Sequence, residues 1–296
     1  MGQLELGVYA LCLADRPDRR LAVERELLRV GLDHEVFEGT RPAGALGFSS
    51  PGRRGCFESH LALLRKGYDD GVDAVVICQD DLWIARSFPR FWPSIQDTIA
   101  ATEWQFLNLG YVRNFYPSVD AQLERVGPHV ARLLASDLLC AHFHAVHRSV
   151  IPDLIEFLEE ILANGPHRPY DGSLNDFRRA RGYFPLVSIP NLGEQRPSPS
   201  NITPSSNPFS SPLHHVAALR PALAGWRAAR RVAFEIESRI GPRSSKFITP
   251  AGQPSPAEHP QDQQRDPSGD LSTEESMPTD PTPTPRSSPW KRESFR

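Results

Sequence analysis

Short apolar runs alternating with amphipathic stretches set the rhythm of the first half of the chain. Val8 to Leu13 is an uninterrupted apolar run and predicts a buried strand. From Asp18 to Val30 the apolar residues Leu21, Leu27 and Leu28 recur at helical spacing among charges, and Gly31 supplies the stop. Glu35-Val36-Phe37 reads as a short second strand, followed by a Gly/Pro/Ser-rich loop from Gly39 to Arg54. Cys56 to Tyr68 predicts a helix with Phe57, Leu61 and Leu64 on one face. The turn-like Asp69-Asp70-Gly71-Val72-Asp73 leads into Ala74–Cys78, a β-branched run that reads as a parallel strand. A helix near 91–101 and a strand over Gln105–Leu109 complete the pattern. Strand, helix, strand in this order predicts an α/β domain with a mostly parallel central sheet.

The second half is less regular. Leu138 to Val146 reads as a strand carrying His142 and His144, with His147 just beyond. A helix runs from Ser149 or Val150 to Leu162 with Pro152 in its first turn. Tyr170-Asp171-Gly172 opens another helical stretch, and Phe184 to Ile189 reads as a late strand. Residues 213–240 form a basic helix in which Arg227, Arg230, Arg231 and Arg239 are set among Ala, Val, Phe and Ile. Packing of its Ala/Val/Phe face on the domain is the first reading. Peripheral contact with an anionic membrane surface is the second. From Phe247 onward Pro, Ser, Thr, Gln and Asp dominate, too little apolar surface to offset the entropy of ordering. The expected division is a folded domain over 1–246 and a disordered tail over 247–296.

Charge and cysteines narrow the class. A net charge of −3 over 296 residues gives no global drive toward nucleic acid, and no nucleic-acid partner is expected. Cys12, Cys56, Cys78 and Cys140 are widely spaced beside apolar runs, with the spacing of neither a metal site nor a disulfide framework. Reduced core thiols are the expectation. The opening Met1-Gly2-Gln3-Leu4-Glu5-Leu6 has no basic region, so it reads as lead-in to a core strand and not as a signal peptide. No apolar run approaches about 18 residues. A soluble, cytoplasmic protein is expected.

The candidate chemistry centres on Cys78-Gln79-Asp80-Asp81. Ligands of open α/β sheets bind at the carboxyl ends of the strands, where this tetrad lies. Two adjacent carboxylates repel, and a hard divalent ion bridging to phosphate oxygens would hold them; a solvated loop is the plainer alternative. Arg16, Arg19 and Arg20 stand where a strand gives way to a helix N-terminus, a setting suited to a diphosphate and equally to a solvated helix face. Ser59-His60 is no catalytic dyad, because adjacent helical residues point about 100° apart. Cys56 and His60 share a helix face, for which packing is the simpler role. His142 and His144 share a strand face and read as hydrogen-bonded imidazoles ahead of metal ligands. Asp171 is open to a turn or cap role as well as a catalytic one. Glu194, in the loop Asn191–Pro199, reads as surface by default.

Taken in order, these segments resemble glycosyltransferase family 25, the lipooligosaccharide and procollagen galactosyltransferase-like family. Val8-Tyr9-Ala10-Leu11-Cys12-Leu13 with Asp15-Arg16-Pro17-Asp18-Arg19-Arg20 is similar to the family's opening strand and Arg-rich turn. Gly55-Cys56-Phe57-Glu58-Ser59-His60 carries its Gly-Cys-x-x-Ser-His pattern, and Val75 to Leu82 its strand ending in Glu-Asp-Asp. Asp171, Pro190 to Gln195 and Ser200-Asn201-Ile202 resemble its late Asp and closing Gln…Ser-x-Ile. Two departures stand out: Gln79 replaces the first acid, and the family's Asn after the first strand is missing.

The resemblance implies a GT-A-like nucleotide-diphospho-sugar transferase fold and an inverting hexosyl transfer. The donor would be a UDP-sugar, galactose or a relative, and the cofactor a divalent cation, most often Mn²⁺. The acceptor would be a hydroxyl of a glycan, of the lipopolysaccharide type, or of a protein. It implies donor contacts from Arg16, Arg20, His60, Gln79 and Asp80, metal ligation by Asp81 and Asp80, and a general base for which Asp171 and then Glu194 are the candidates. Gln79 keeps hydrogen-bonding capacity but loses charge, which motivates a non-catalytic nucleotide-sugar-binding protein as the alternative. A metal-dependent phosphohydrolase using Asp80 and Asp81 is the third reading.

Overall fold

The structure is a computed structural model that describes residues 4–111, 122–135, 137–139, 141–196, 220–240 and 247–248. The chain divides into two units, Met1–Gln253 and Pro254–Arg296; the second lies outside the described residues. The first unit opens with β1 (Leu6–Cys12), α1 (Pro17–Arg29), β2 (Glu35–Glu38), α2 (Pro51–Asp69), β3 (Ala74–Gln79) and β4 (Leu82–Ile84). Then come α3 (Phe88–Ala101), β5 (Phe106–Gly110), the hairpin β6 (Gln122–Gly127) and β7 (Val130–Ala135), and β8 (Phe143–His147). α4 (Ile151–Asn164), α5 (Tyr170–Arg181), β9 (Leu186–Ser188), β10 (Gly193–Gln195), α6 (Arg220–Ile240) and β11 (Phe247–Ile248) complete it. β11 pairs with β6, so the first two residues beyond the expected boundary at 246 join the sheet.

The described strands form one sheet in the order β11-β6-β7-β9-β5-β8-β3-β1-β2, with β4 and β10 off this path. β2, β1 and β3 are mutually parallel, and β5 and β9 are parallel to each other. β8 lies between β3 and β5 and runs against both, so all five of those strands point the same way around a single reversed one. The class is α/β with a mostly parallel centre, as the alternating pattern predicts.

Both faces of the sheet are covered, which is why β1 and β3 read as continuous apolar runs and not as alternating ones. Along β1, Val8, Ala10 and Cys12 pack on one side with Val23 and Leu27 of α1 and Phe88 and Ile95 of α3. Tyr9 and Leu11 pack on the other with α2, α4 and α5. Ala74, Val76 and Cys78 against Val75 and Ile77 repeat the division on β3. α2 comes so close to β3 that a Cβ at Gly67 would collide with Val75.

Several elements differ from expectation. α2 begins at Pro51, five residues early, because Ser50 caps it by accepting a hydrogen bond from the Arg53 backbone N–H at 3.2 Å, with Pro at the first helical position. α1 buries Arg19, Val23 and Leu27, while Leu21 and Leu28 are exposed. In α6, Phe234 is buried but its inward neighbours are polar: Arg231 donates to the Ile84 carbonyl at 2.8 Å, and Glu235 accepts from the Arg86 backbone N–H at 2.9 Å. Ala228, Ala229, Val232, Ala233 and Ile236 are exposed. The inversion has a physical reason, since the rim around β4 offers carbonyls, N–H groups and Glu26 that need partners more than α6 needs apolar cover. Cys12, Cys56 and Cys78 are free thiols; Cys140 lies outside the described residues. Among the described residues no helix is long and apolar enough to cross a membrane.

Candidate functional site

The period of a strand decides what surrounds the acidic tetrad. Successive side chains on β3 alternate between the two faces. Gln79 therefore follows Val75 and Ile77 toward α2, and Asp80 follows Val76 and Cys78 toward α1. Each meets a polar residue that its helix carries inward. His60 of α2 lies 3.3 Å from the Gln79 amide, and Arg19 of α1 donates from Nη1 to Asp80 Oδ1 at 2.8 Å.

The Arg19–Asp80 pair is largely buried on both sides, with side-chain exposures of 10% and 11%. Arg196 closes the opposite flank: its Nη2 donates to the Asp80 carbonyl at 2.9 Å, and its backbone N–H donates to the Asp81 carbonyl. Asp81 Oδ1 is buried without a hydrogen-bond partner. Burial pushes the carboxyl pKa of Asp80 and of Asp81 up, and the Arg19 charge opposes this in both. A buried carboxylate oxygen with nothing to bond is costly unless a proton or a cation completes it.

Across the sheet, His60 makes one unambiguous bond, from Nδ1 to the Cys56 carbonyl at 2.7 Å. Its ring stacks on Tyr170 at 4.0 Å between centroids and lies 6.1 Å from the ring of His144. Burial pulls the imidazole down to about 4 and pushes the neighbouring Cys56 thiol up to about 12. His144 bonds the Ala141 carbonyl at 3.0 Å and is pulled down to about 3, again by burial first. His142 is also buried and pulled down to about 4 by burial, against the opposing effect of a hydrogen bond to the Gly193 backbone. Its ring packs on the backbone beside Gly110, where a Cβ would come within 2.6 Å of Nε2. Ser59 is held separately: its hydroxyl donates to the Gly55 carbonyl at 2.6 Å and accepts from the Thr40 N–H at 2.8 Å.

The remaining candidates fall in different places. Arg16 forms the N-cap of α1 and holds Asp18 through two bonds of 2.9 Å, and its charge also bears on Asp80 and Asp81. Arg20 is turned outward beside Glu24 at 3.6 Å. Asp171 sits in the first turn of α5, its Oδ1 accepting from the Gly172 N–H at 2.9 Å. The charges of Asp171, Asp81 and Asp80 all bear on the Cys56 thiol and help to raise its pKa. Glu194 belongs to β10, not to a loop, and its carboxylate is ion-paired with Arg230 of α6. Ser200-Asn201-Ile202 lies outside the described residues. A cleft of about 620 Å³ opens beyond the ends of β1 and β2, lined by Leu13, Ala14, Asp15, Glu38, Gly39, Thr40 and Arg41.

Two residues that sequence reasoning underrated, Arg19 and Arg196, are the ones bonded to the acidic pair. Arg19 was legible in principle, since positions 19, 23 and 27 form one helical stripe. Arg196 carried no local signal. As for a cation, no group of three or more His, Cys, Asp or Glu is gathered among the described residues. The acidic pair nevertheless fits a hard ion that takes its other ligands from water and phosphate, because Asp81 keeps an unsatisfied buried oxygen next to a second acid.

No family model matches the chain, and no curated protein matches it. Among solved structures, the chain is similar to a glycosyltransferase involved in glycosylation of the major capsid of PBCV-1, with TM-score 0.35, 10% identity, and 62% of this chain and 80% of that one covered. It is also similar to a mannose-1-phosphate geranyltransferase from Thermus thermophilus, with TM-score 0.34, 10% identity, and coverages of 64% and 76%. A Drosophila β-1,4-galactosyltransferase 7 mutant in complex with manganese, UDP-Gal and xylobiose gives TM-score 0.27 and 11% identity, with coverages of 51% and 52%. Likenesses this distant carry nothing about ligand or reaction, which rest on the side chains themselves.

Proposed function

We propose that this chain is a GT-A-type glycosyltransferase related to family 25. It would move galactose or a related hexose from a UDP-sugar to a hydroxyl of a glycan, lipopolysaccharide-type or protein acceptor, with inversion. The observation that carries the reading is Asp81, whose buried unpartnered oxygen stands beside Asp80 at the end of β3, between Arg19 and Arg196. The same reading takes 1–246 as the catalytic domain, 247–296 as an accessory tail, and the cytoplasm as the compartment, with any membrane contact made through 213–240.

In the reaction the acceptor oxygen bonds to the anomeric carbon as the bond to the diphosphate oxygen breaks, and the acceptor's proton passes to a base. Asp81, with the free oxygen of Asp80, would hold a divalent cation, Mn²⁺ by resemblance, whose charge offsets that growing on the leaving diphosphate. Arg16, at the first turn of α1, supplies a second positive group on that side. Arg19 orients Asp80 and opposes the upward pull of burial on its carboxyl pKa. Arg20 faces Glu24, so its part in donor binding is the weakest of the three. Asp171 is the base of choice, because Glu194 is engaged by Arg230.

Purified protein incubated with a panel of UDP-sugars and Mn²⁺ should release UDP, faster with a competent acceptor, and Asp81→Asn should abolish release while keeping the fold. Gln79, lacking the charge of an acid, favours the alternative of a non-catalytic binder, for which UDP-sugar would bind without turnover. Cleavage of a simple phosphate ester, with no UDP released from sugar donors, would overturn both in favour of a phosphohydrolase.

A further inference from the structure

We propose, building on the glycosyltransferase reading, that His60 is a positioning residue. The lone pair on its Nε2 holds the Gln79 amide with NH₂ inward, so that Gln79 presents its carbonyl oxygen to a hydroxyl of the bound nucleotide sugar. A carbonyl can only accept, so the 2.7 Å contact with the Cys56 carbonyl requires a proton on His60 Nδ1. The ring is fully buried and stacked on Tyr170, with no carboxylate in bonding contact to balance a second proton. The Ala141 backbone is the ring's second hydrogen-bonding neighbour, but the 2.7 Å contact with Cys56 claims the single proton of a neutral imidazole for Nδ1. Nε2 then acts as an acceptor, and the group 3.3 Å away is the donor end of Gln79. Oε1 is left on the other branch of the amide, next to Asp80 in sequence and at the open end of β3.

The arrangement also changes what a Glu at this position would do. A carboxylate would set an oxygen against the Nε2 lone pair. A proton would then have to lie between the two groups, either on Nε2 or on the carboxyl itself. Glu at 79 would thus not simply add one negative charge to the cation site, because that proton would offset it.

The first measurement needs no activity: long-range ¹H–¹⁵N spectra of the imidazoles in labelled full-length protein at neutral pH. His60 should show a protonated Nδ1 and a bare Nε2. In Gln79→Glu the pair should hold one more proton, seen either as a protonated Nε2 or, with Nε2 bare, as a neutral carboxyl in the infrared spectrum. An Nε2–H tautomer in the wild type, or a bare Nε2 beside an ionised carboxylate in Gln79→Glu, overturns the proposal. The second measurement is UDP binding by calorimetry. His60→Phe, which keeps an aromatic ring over Tyr170, and Gln79→Met should each weaken UDP roughly five- to tenfold, the scale of one hydrogen bond. The double variant should lose no more than either alone. Independent, additive losses overturn the coupling. Wild type that does not bind UDP at all overturns the glycosyltransferase reading instead, and the tautomer measurement then decides the His60 claim by itself.

Discussion

Arg19 Nη1 lies 2.8 Å from Asp80 Oδ1 in a contact nearly closed to water, whereas Arg16 and Arg20, three residues and one residue away from it, face Asp18 and Glu24. The separation follows from α1 geometry. Positions 19, 23 and 27 face the sheet, and only the first of them is polar. Arg19 therefore enters at the end of an apolar stripe and meets the one acid that the pleat of β3 turns toward α1. The pair fixes Asp80 before any ligand arrives.

Removing one partner of such a pair leaves the other charge buried and alone. Arg19→Ala should cost about 3–5 kcal/mol of stability in urea unfolding. The double variant Arg19→Ala/Asp80→Ala should cost clearly less than the sum of the two single changes. Additive losses would mean that the two side chains do not depend on each other.

Much of this fold is legible in the sequence, for a reason that also marks the limit. β1 and β3 are buried on both faces, so they read as continuous apolar runs, and α4 and α5 begin within a residue or two of where Pro152 and Tyr170 suggest. β4 and β10 span three residues each, too short for any period to register, and they pair with one another across more than a hundred residues of chain. The β6–β7 hairpin carries charges on a half-exposed surface, so its strands lack a clean apolar alternation even though Gly127-Pro128 marks a turn. At the site, the adjacency of Asp80 and Asp81 is plain. Which helix each neighbour meets is not, because that required the phase of α1, and Leu21 and Leu28 suggested the wrong one; at 50% and 67% exposure they are surface residues. Arg196 reaches Asp80 by tertiary contact alone.

The tail offers a sharper cut than its composition suggests. Truncation after Gln253 should leave the melting temperature unchanged, because the removed segment has almost no aliphatic residues to bury. Truncation after Lys246 should lower it slightly, since Phe247 and Ile248 pair with Leu123 and Glu124 on β6. Equal melting temperatures for both truncations would show that β11 contributes nothing. A large drop with the longer product would show that residues past 253 are needed.

Acid should unfold the protein through its buried histidines. His60 and His142 are held to about 4 and His144 to about 3, each by burial, from an ordinary value of 6.5. A base whose folded pKa is depressed contributes stability that is complete above 6.5 and is lost as pH falls toward the folded value. Each imidazole adds a slope of up to about 1.4 kcal/mol per pH unit in that window. Asp80 and Asp81, with raised pKa values, act with the opposite sign, losing stability as pH rises through their folded values. His144→Gln isolates one imidazole's share: its urea-unfolding stability between pH 6 and about 4.5 should fall less steeply than wild type. Parallel curves for the two proteins would remove His144 from the account.

Asp171 is where a structural and a catalytic role make opposite predictions. Its Oδ1 accepts from the Gly172 N–H in the first turn of α5, and an Asn there keeps an oxygen for the same bond. Asp171→Asn should therefore preserve the melting temperature within a degree or two. A base, by contrast, must take the acceptor's proton, which an amide cannot do, so turnover should fall by roughly two or more orders of magnitude. UDP affinity should stay near wild type, because the base serves the acceptor and not the leaving group. The companion variant Arg230→Ala releases Glu194 from its ion pair. If Glu194 were the base, freeing it would alter turnover and Asp171→Asn would not. Full activity in Asp171→Asn together with a changed rate in Arg230→Ala would transfer the role from α5 to β10.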